Sequence, residues 1–156
     1  MLSDEMLRCV YAADIGGLKS LINAGESVRG TDRDGRTVLM HAILATPTEP
    51  SVISVLLDAG VDINAKDKGQ NWTALAFAAR DCSAEICRML LDAGAEIEAV
   101  DIFGNTALWR AVMARKQENV MLLVERGANP DFANKSGVSP RQVAETTGWT
   151  MPEQDD

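Results

Sequence analysis

Residues 101–112 read Asp101-Ile102-Phe103-Gly104-Asn105-Thr106-Ala107-Leu108-Trp109-Arg110-Ala111-Val112, and a second apolar run, Val120-Met121-Leu122-Leu123-Val124, follows and ends on Gly127-Ala128. Physically this is a polar turn, a short helix opened by a threonine, a reversal, and a second short helix stopped by glycine. The unit recurs upstream, where Lys68 to Ala79 leads to Ile86–Ala95 and Asp32 to Leu39 leads to Val55–Gly60. The stop glycines Gly60, Gly94 and Gly127 lie 34 and 33 residues apart. A period near 33 marks a stacked-repeat array in which each unit buries its faces against its neighbours.

Working outward, Met6, Leu7, Val10 and Tyr11 fall on one face of a first helix capped by Ser3. Gly16-Gly17 is expected to break it, leaving a short second helix through Ile22 that stops at Ala24-Gly25. This shortened unit reads as the N-terminal cap of the stack. The second unit carries extra length at Ala45-Thr46-Pro47-Thr48-Glu49-Pro50, where two prolines forbid helix continuation. In the third, the turn from Asp67 to Trp72 holds one extra residue, and Asn71 takes the place of a glycine. Asparagine is among the residues that best tolerate positive φ. Ser139-Pro140 opens a last helix.

The expected architecture is therefore an all-α repeat solenoid of about five helix-pair units, at 3–31, 32–66, 67–100, 101–133 and 134–148. They form one domain, 1–148, followed by an acidic tail, 149–156, expected to fray in part. Apolar residues are 46% and aromatics only 4%, a balance that suits short Ala- and Leu-rich helices better than a sheet.

Charge and chemistry narrow the function classes. A net charge of −8 argues against nonspecific nucleic-acid binding and an anionic membrane surface, and in favour of a basic partner. No run approaches a membrane span and the N-terminus has no signal-peptide pattern, so a cytoplasmic chain, monomeric on its own, is expected. Cys9, Cys82 and Cys87 sit in apolar helical patterns and read as reduced core thiols. His41 is the single histidine and lies in an ordinary repeat helix, which leaves no nucleophile-and-base pair and no metal-ligand set. Phosphate-binding glycine loops are missing as well. No catalytic residue, cofactor or metal is expected.

Taken together, Asp32, Gly35, Thr37, Leu39, Ala42, Leu56, Leu57, Gly60 and Asn64, and the same offsets at Thr73, Leu75, Ala78, Leu90, Leu91 and Gly94 and at Asp101, Gly104, Thr106, Leu108, Ala111, Leu123, Gly127 and Asn129, make the chain resemble the ankyrin-repeat proteins. It departs from them where Met40, Ala76 and Trp109 occupy the family's histidine position, and where Arg141 stands in place of a buried leucine.

The resemblance implies a curved stack of antiparallel helix pairs that binds a protein on its concave face, through loop tips and first helices. Carried onto this chain, the tips are Arg33, Asp34 and Arg36; Lys68, Gln70 and Trp72; and Ile102, Phe103 and Asn105. The first-helix positions, expected to be exposed, are Tyr11, His41, Phe77 and Arg110. Trp72 and Phe103 are the expected anchors, because large aromatics dominate interface energetics. Trp109 is expected to fill the core instead. Small acidic arrays of this kind resemble bacterial ankyrin proteins, some of which are immunity proteins that inhibit a toxin. The alternative is an intracellular scaffold or regulatory subunit.

Overall fold

The computed structural model describes residues 1–152; residues 153–156 of the acidic tail lie outside the described residues. The helices run α1 (Asp4–Tyr11), α2 (Ile15–Asn23), α3 (Val38–Leu44), α4 (Pro50–Asp58), α5 (Ala74–Asp81), α6 (Ala84–Asp92), α7 (Ala107–Met113), α8 (Gln117–Glu125) and α9 (Pro140–Thr146). They pair as α1/α2, α3/α4, α5/α6 and α7/α8, and among the described residues α9 packs on α7 as a single helix. First helices α1, α3, α5, α7 and α9 pack in sequence as one layer, and second helices α2, α4, α6 and α8 as another. This is an all-α ankyrin-type solenoid.

Each first helix begins where a hydroxyl satisfies an orphan backbone donor. Ser3, Thr37, Thr73, Thr106 and Ser139 accept from Met6, Met40, Ala76, Trp109 and Gln142 N–H respectively. Two turns of helix then bury a full face. Leu39, Met40 and Ile43 from α3, Leu75 and Ala78 from α5, and Leu108 and Ala111 from α7 are almost completely excluded from solvent. Between the layers lie Ile53, Leu56, Leu90 and Leu123.

Two local expectations change. Gly16 and Gly17 do not break the chain but form the first turn of α2. The reversal falls at Ala13, at φ 52. Gly17 is needed for proximity, because a Cβ there would stand 2.9 Å from Cys9 Sγ and closer still to the capping Asp14 carboxylate. The start of the tail is docked rather than frayed. Trp149 N–H donates to Ala144 O at 2.8 Å, and Met151 is buried.

Candidate partner-binding face

The turns that precede α3, α5, α7 and α9 share one construction. The backbone N–H of Asp32, Asp67, Asp101 and Asn134 donates to the carbonyl of Arg36, Trp72, Asn105 and Val138, closing four hairpin tips. The side-chain Oδ1 of each opening residue accepts two more N–H groups from within its own tip. The donors are Asp34 and Arg36, Gln70 and Trp72, Phe103 and Asn105, and Ser136 and Val138. An Asx side chain that mimics a backbone turn explains why Asp or Asn opens every tip.

Neighbouring tips are wired together. Lys68 N–H donates to Asp34 O at 2.8 Å, Ile102 N–H to Gln70 O at 3.0 Å, and Lys135 N–H to Phe103 O at 2.9 Å. The approach is close enough to demand glycine. A Cβ on Gly35 (φ 76) would sit 2.9 Å from Lys68 N, and one on Gly104 (φ 78) 3.0 Å from Lys135 N. Asn71 supplies the positive φ in the enlarged 67–72 tip, at 58°. The tips thus form one continuous ribbon beside the first-helix layer.

In Asp32 and Asp101 the second carboxylate oxygen reaches the first helix. Asp32 Oδ2 pairs with His41 Nε2 at 2.9 Å, and Tyr11 Oη pairs with His41 Nδ1 at 2.7 Å. Asp101 Oδ2 pairs with the Arg110 guanidinium and accepts from Asn105 Nδ2. Burial pushes both carboxyls up, but backbone N–H donors together with His41 or Arg110 outweigh it. Asp32 and Asp101 are therefore held below the ordinary carboxylate value.

The candidate residues divide by exposure. Tyr11, Arg33, Asp34, Lys68, Gln70, Ile102 and Phe103 are exposed, with Phe103 at 50% and Tyr11 at 55% the largest aromatic surfaces. Arg36 and Arg110 are half-buried. His41, Trp72, Phe77 and Asn105 are buried, contrary to the exposure expected of them.

The reasons are specific. His41 is consumed by the Tyr11–Asp32 chain. Asn105 links two tips, donating to Asp101 and accepting from Asn134 Nδ2 at 2.8 Å. Trp72 turns inward because the extra residue of its tip lets the ring lie on Phe77, 4.9 Å between centroids. Arg80 lies over it at 4.5 Å and Arg110 at 4.1 Å, and Trp72 Nε1 donates to Gln70 Oε1. Trp72 is therefore the floor of the face and Phe103 its exposed aromatic. Trp109 is half-buried against the core, as a filling role requires.

A second row of face residues escaped the sequence reading. Leu44, Arg80 and Met113 lie three residues beyond His41, Phe77 and Arg110, one helical turn along the same side. Tyr11 belongs to this row. Ala13 (φ 52) and Arg115 (φ 55) turn the chain at equivalent points, so Tyr11 aligns with Met113 and Arg8 with Arg110. The i+3 spacing from the first row was the available signal.

The net charge of −8 does not reside here. Exposed acids concentrate on the second helices and the loops after them, at Asp58, Asp62, Glu85, Asp92, Glu96, Glu118 and Glu125. The tips and first helices of the middle units carry Arg33, Arg36, Lys68, Arg80 and Arg110 against Asp32, Asp34, Asp67, Asp81 and Asp101, so their formal charges balance; Asp67 and Asp101 are buried, while Asp34 and Asp81 are exposed.

Among the described residues, no cluster of three or more His, Cys, Asp or Glu could hold a metal, and no helix is long and apolar enough to cross a membrane. All three cysteines are free and buried.

Comparison with known proteins agrees with this construction. A model of ankyrin repeats in three copies matches residues 8–101 and 45–134. The chain is 41% identical over 110 residues, or 67% of its length, to the human B-cell lymphoma 3 protein, and covers 24% of that protein. It is 31% identical over 128 residues, 81% of the chain, to the ankyrin repeat and KH domain-containing protein mask-1 of Caenorhabditis elegans, of which it covers 5%. To the human SH3 and multiple ankyrin repeat domains protein 2 it is 37% identical over 89 residues, 56% of the chain and 5% of that protein. The chain thus spans a quarter or less of these relatives. With the family model matching most of its length and four Asx-opened tips stacked on paired helices, the chain belongs to the ankyrin-repeat family of protein–protein interaction modules.

Proposed function

We propose that this chain is a non-catalytic module that holds one partner protein on the face made by its hairpin tips and first helices, and acts as an inhibitor by covering that partner. The observation that supports it most directly is the ribbon of tips. Its backbone bonds tie the tip that carries Ile102 and Phe103 to the tips on either side and leave both side chains exposed, so apolar contact area is preorganised rather than ordered on binding. A buried, hydrogen-bonded His41 is better suited to bracing α1 against the 32–36 tip than to proton transfer.

The test is affinity capture followed by a stoichiometry measurement. Ile102→Ser/Phe103→Ser should lose the partner while Met121→Ser, on the outer layer, keeps it. Equal capture by both would overturn the reading. Trp72→Ala is unsuitable because it removes a floor residue. One-to-one binding that abolishes the partner's activity supports inhibition.

A bridging scaffold is the second reading. It is favoured by a separate groove of about 510 Å³ between α2 and α4, lined by Ile15, Ile22, Val55 and Ala59. Simultaneous capture of two partners would establish it in place of inhibition.

A further inference from the structure

Between the 32–36 and 67–72 tips the face opens into a cleft of about 440 Å³, walled by Arg36 and Arg80 and floored by Trp72, Phe77 and Leu44. Arg36 Nε is buried with no hydrogen-bond partner, and among the described residues Arg36 enters no ion pair. An arginine so placed leaves one desolvated donor, Nε, unmatched, which costs stability unless a ligand completes it. Arg80 is held over Trp72 at 4.5 Å, with Nε and Nη2 on Asp81 at 2.7 and 2.6 Å. That pair is about 40% exposed and lies between adjacent residues, so it presents no strong barrier to a competing carboxylate.

We infer that this cleft receives a carboxylate side chain from an acidic segment of the partner, with Arg36 as its principal donor and Arg80 as the second. This rests on the reading that the tip face holds a protein. It departs from the basic partner expected from the whole chain, because the acids that make the chain negative concentrate on the outer helices while the cleft itself is walled by Arg36 and Arg80. Asp67 also lines the cleft and opposes an incoming anion, but its Oδ1 is matched by Gln70 and Trp72 N–H donors at 3.1 and 2.9 Å and the residue is buried. Arg33 and Lys68, exposed on the two tips, add positive charge farther out, with the exposed Asp34 between them as its one acid. A planar guanidinium on an aromatic floor suits a carboxylate, with the segment's methylenes resting on Phe77 and Leu44.

The test uses ¹⁵N side-chain spectra of the arginine Nε–Hε groups in the full chain at low ionic strength. The probe is a capped glycine peptide carrying two glutamates, run against its glutamine and lysine counterparts. Saturable shifts of Arg36 and Arg80 with the glutamate peptide alone are expected. Arg36→Gln should weaken binding about tenfold, the scale of a lost charge-assisted hydrogen bond, and Arg36→Lys should retain part of it. No saturable shift, an equal response to the lysine peptide, or equal shifts of Arg88 and Arg126 on the outer layer would overturn the inference. The parent reading fails separately: if Ile102→Ser/Phe103→Ser still captures the partner, the tip face is not its site, whatever the peptide does.

Discussion

At the scale of single residues, the hairpin aspartates do two jobs that mutation can separate. Oδ1 builds the turn and Oδ2, in Asp101, neutralises Arg110. Asparagine can do the first job alone, as Asn134 does in the last tip. Asp101→Asn should therefore keep the hairpin but leave Arg110 half-buried and uncompensated, a loss of about 3 kcal/mol in urea unfolding. Asp67→Asn, where the apolar Phe77 occupies the place of Arg110, should cost well under half of that. The pH dependence follows in sign. The folded Asp101 value lies below the unfolded one, so its stabilisation is complete above the unfolded value of about 3.9 and is lost as pH falls through the lower folded value. The gap between wild type and Asp101→Asn should shrink on acidification from pH 6 toward that range, and a constant gap would refute the assignment. Asn119 is a second such residue. Buried on α8, it donates through Nδ2 to Ala79 O at 3.0 Å and Cys82 O at 2.9 Å, closing the α5–α6 reversal of the neighbouring unit. Asn119→Ala strands both carbonyls and should cost about 2 kcal/mol.

At the scale of elements, first and second helices are held by different means. The first helices start on hydroxyl caps; of the second helices α2 alone is capped by a side chain, Asp14, whereas α4, α6 and α8 have no side-chain cap bond. Thr106→Ala should then cost about 1 kcal/mol, and Ser83→Ala only a few tenths, by thermal unfolding. Equal costs would mean that packing, not capping, sets the start of α7. The contrast also explains what could be read in advance. The 33-residue period, the threonine caps, the stop glycines and positive φ at Asn71 are local demands of the backbone, so residue type alone reveals them. Trp72 turning inward, His41 joining Tyr11 to Asp32, and Asn119 reaching the unit before it are relations between units. Their register depends on the one-residue insertion at 67–72 and on the offset turn at Ala13, where alanine rather than glycine takes positive φ. For that reason the position of Tyr11 before Ala12 in the sequence predicts the row of His41, whereas the turn at Ala13 sets it in the row of Met113. The tip positions Arg33, Lys68, Ile102 and Phe103 were legible because a hairpin tip has few ways to hide a side chain.

At the scale of the whole molecule, stability is passed from neighbour to neighbour. Beyond the helix pair within each unit, the larger contacts link adjacent units only, α1 to α3, α3 to α5, α5 to α7 and α7 to α9 in one layer, and α2 to α4, α4 to α6 and α6 to α8 in the other. An end unit has a neighbour on one side only, so its local opening should cost less than that of the middle of the stack. The cysteines report on this directly. Cys9 lies in the first unit and Cys87 in the third, and both are buried. Burial pushes the Cys87 thiol up to about 12, so it stays protonated and unreactive until its surroundings open. Native-state labelling with a thiol reagent should therefore modify Cys9 first, through an opening with weak urea dependence that exposes α1 and α2. Cys87 should follow with a steep dependence near that of global unfolding, since urea slopes scale with the surface exposed. Equal rates with equal slopes would mean that the solenoid opens as one cooperative body and that its ends are coupled as tightly as its centre.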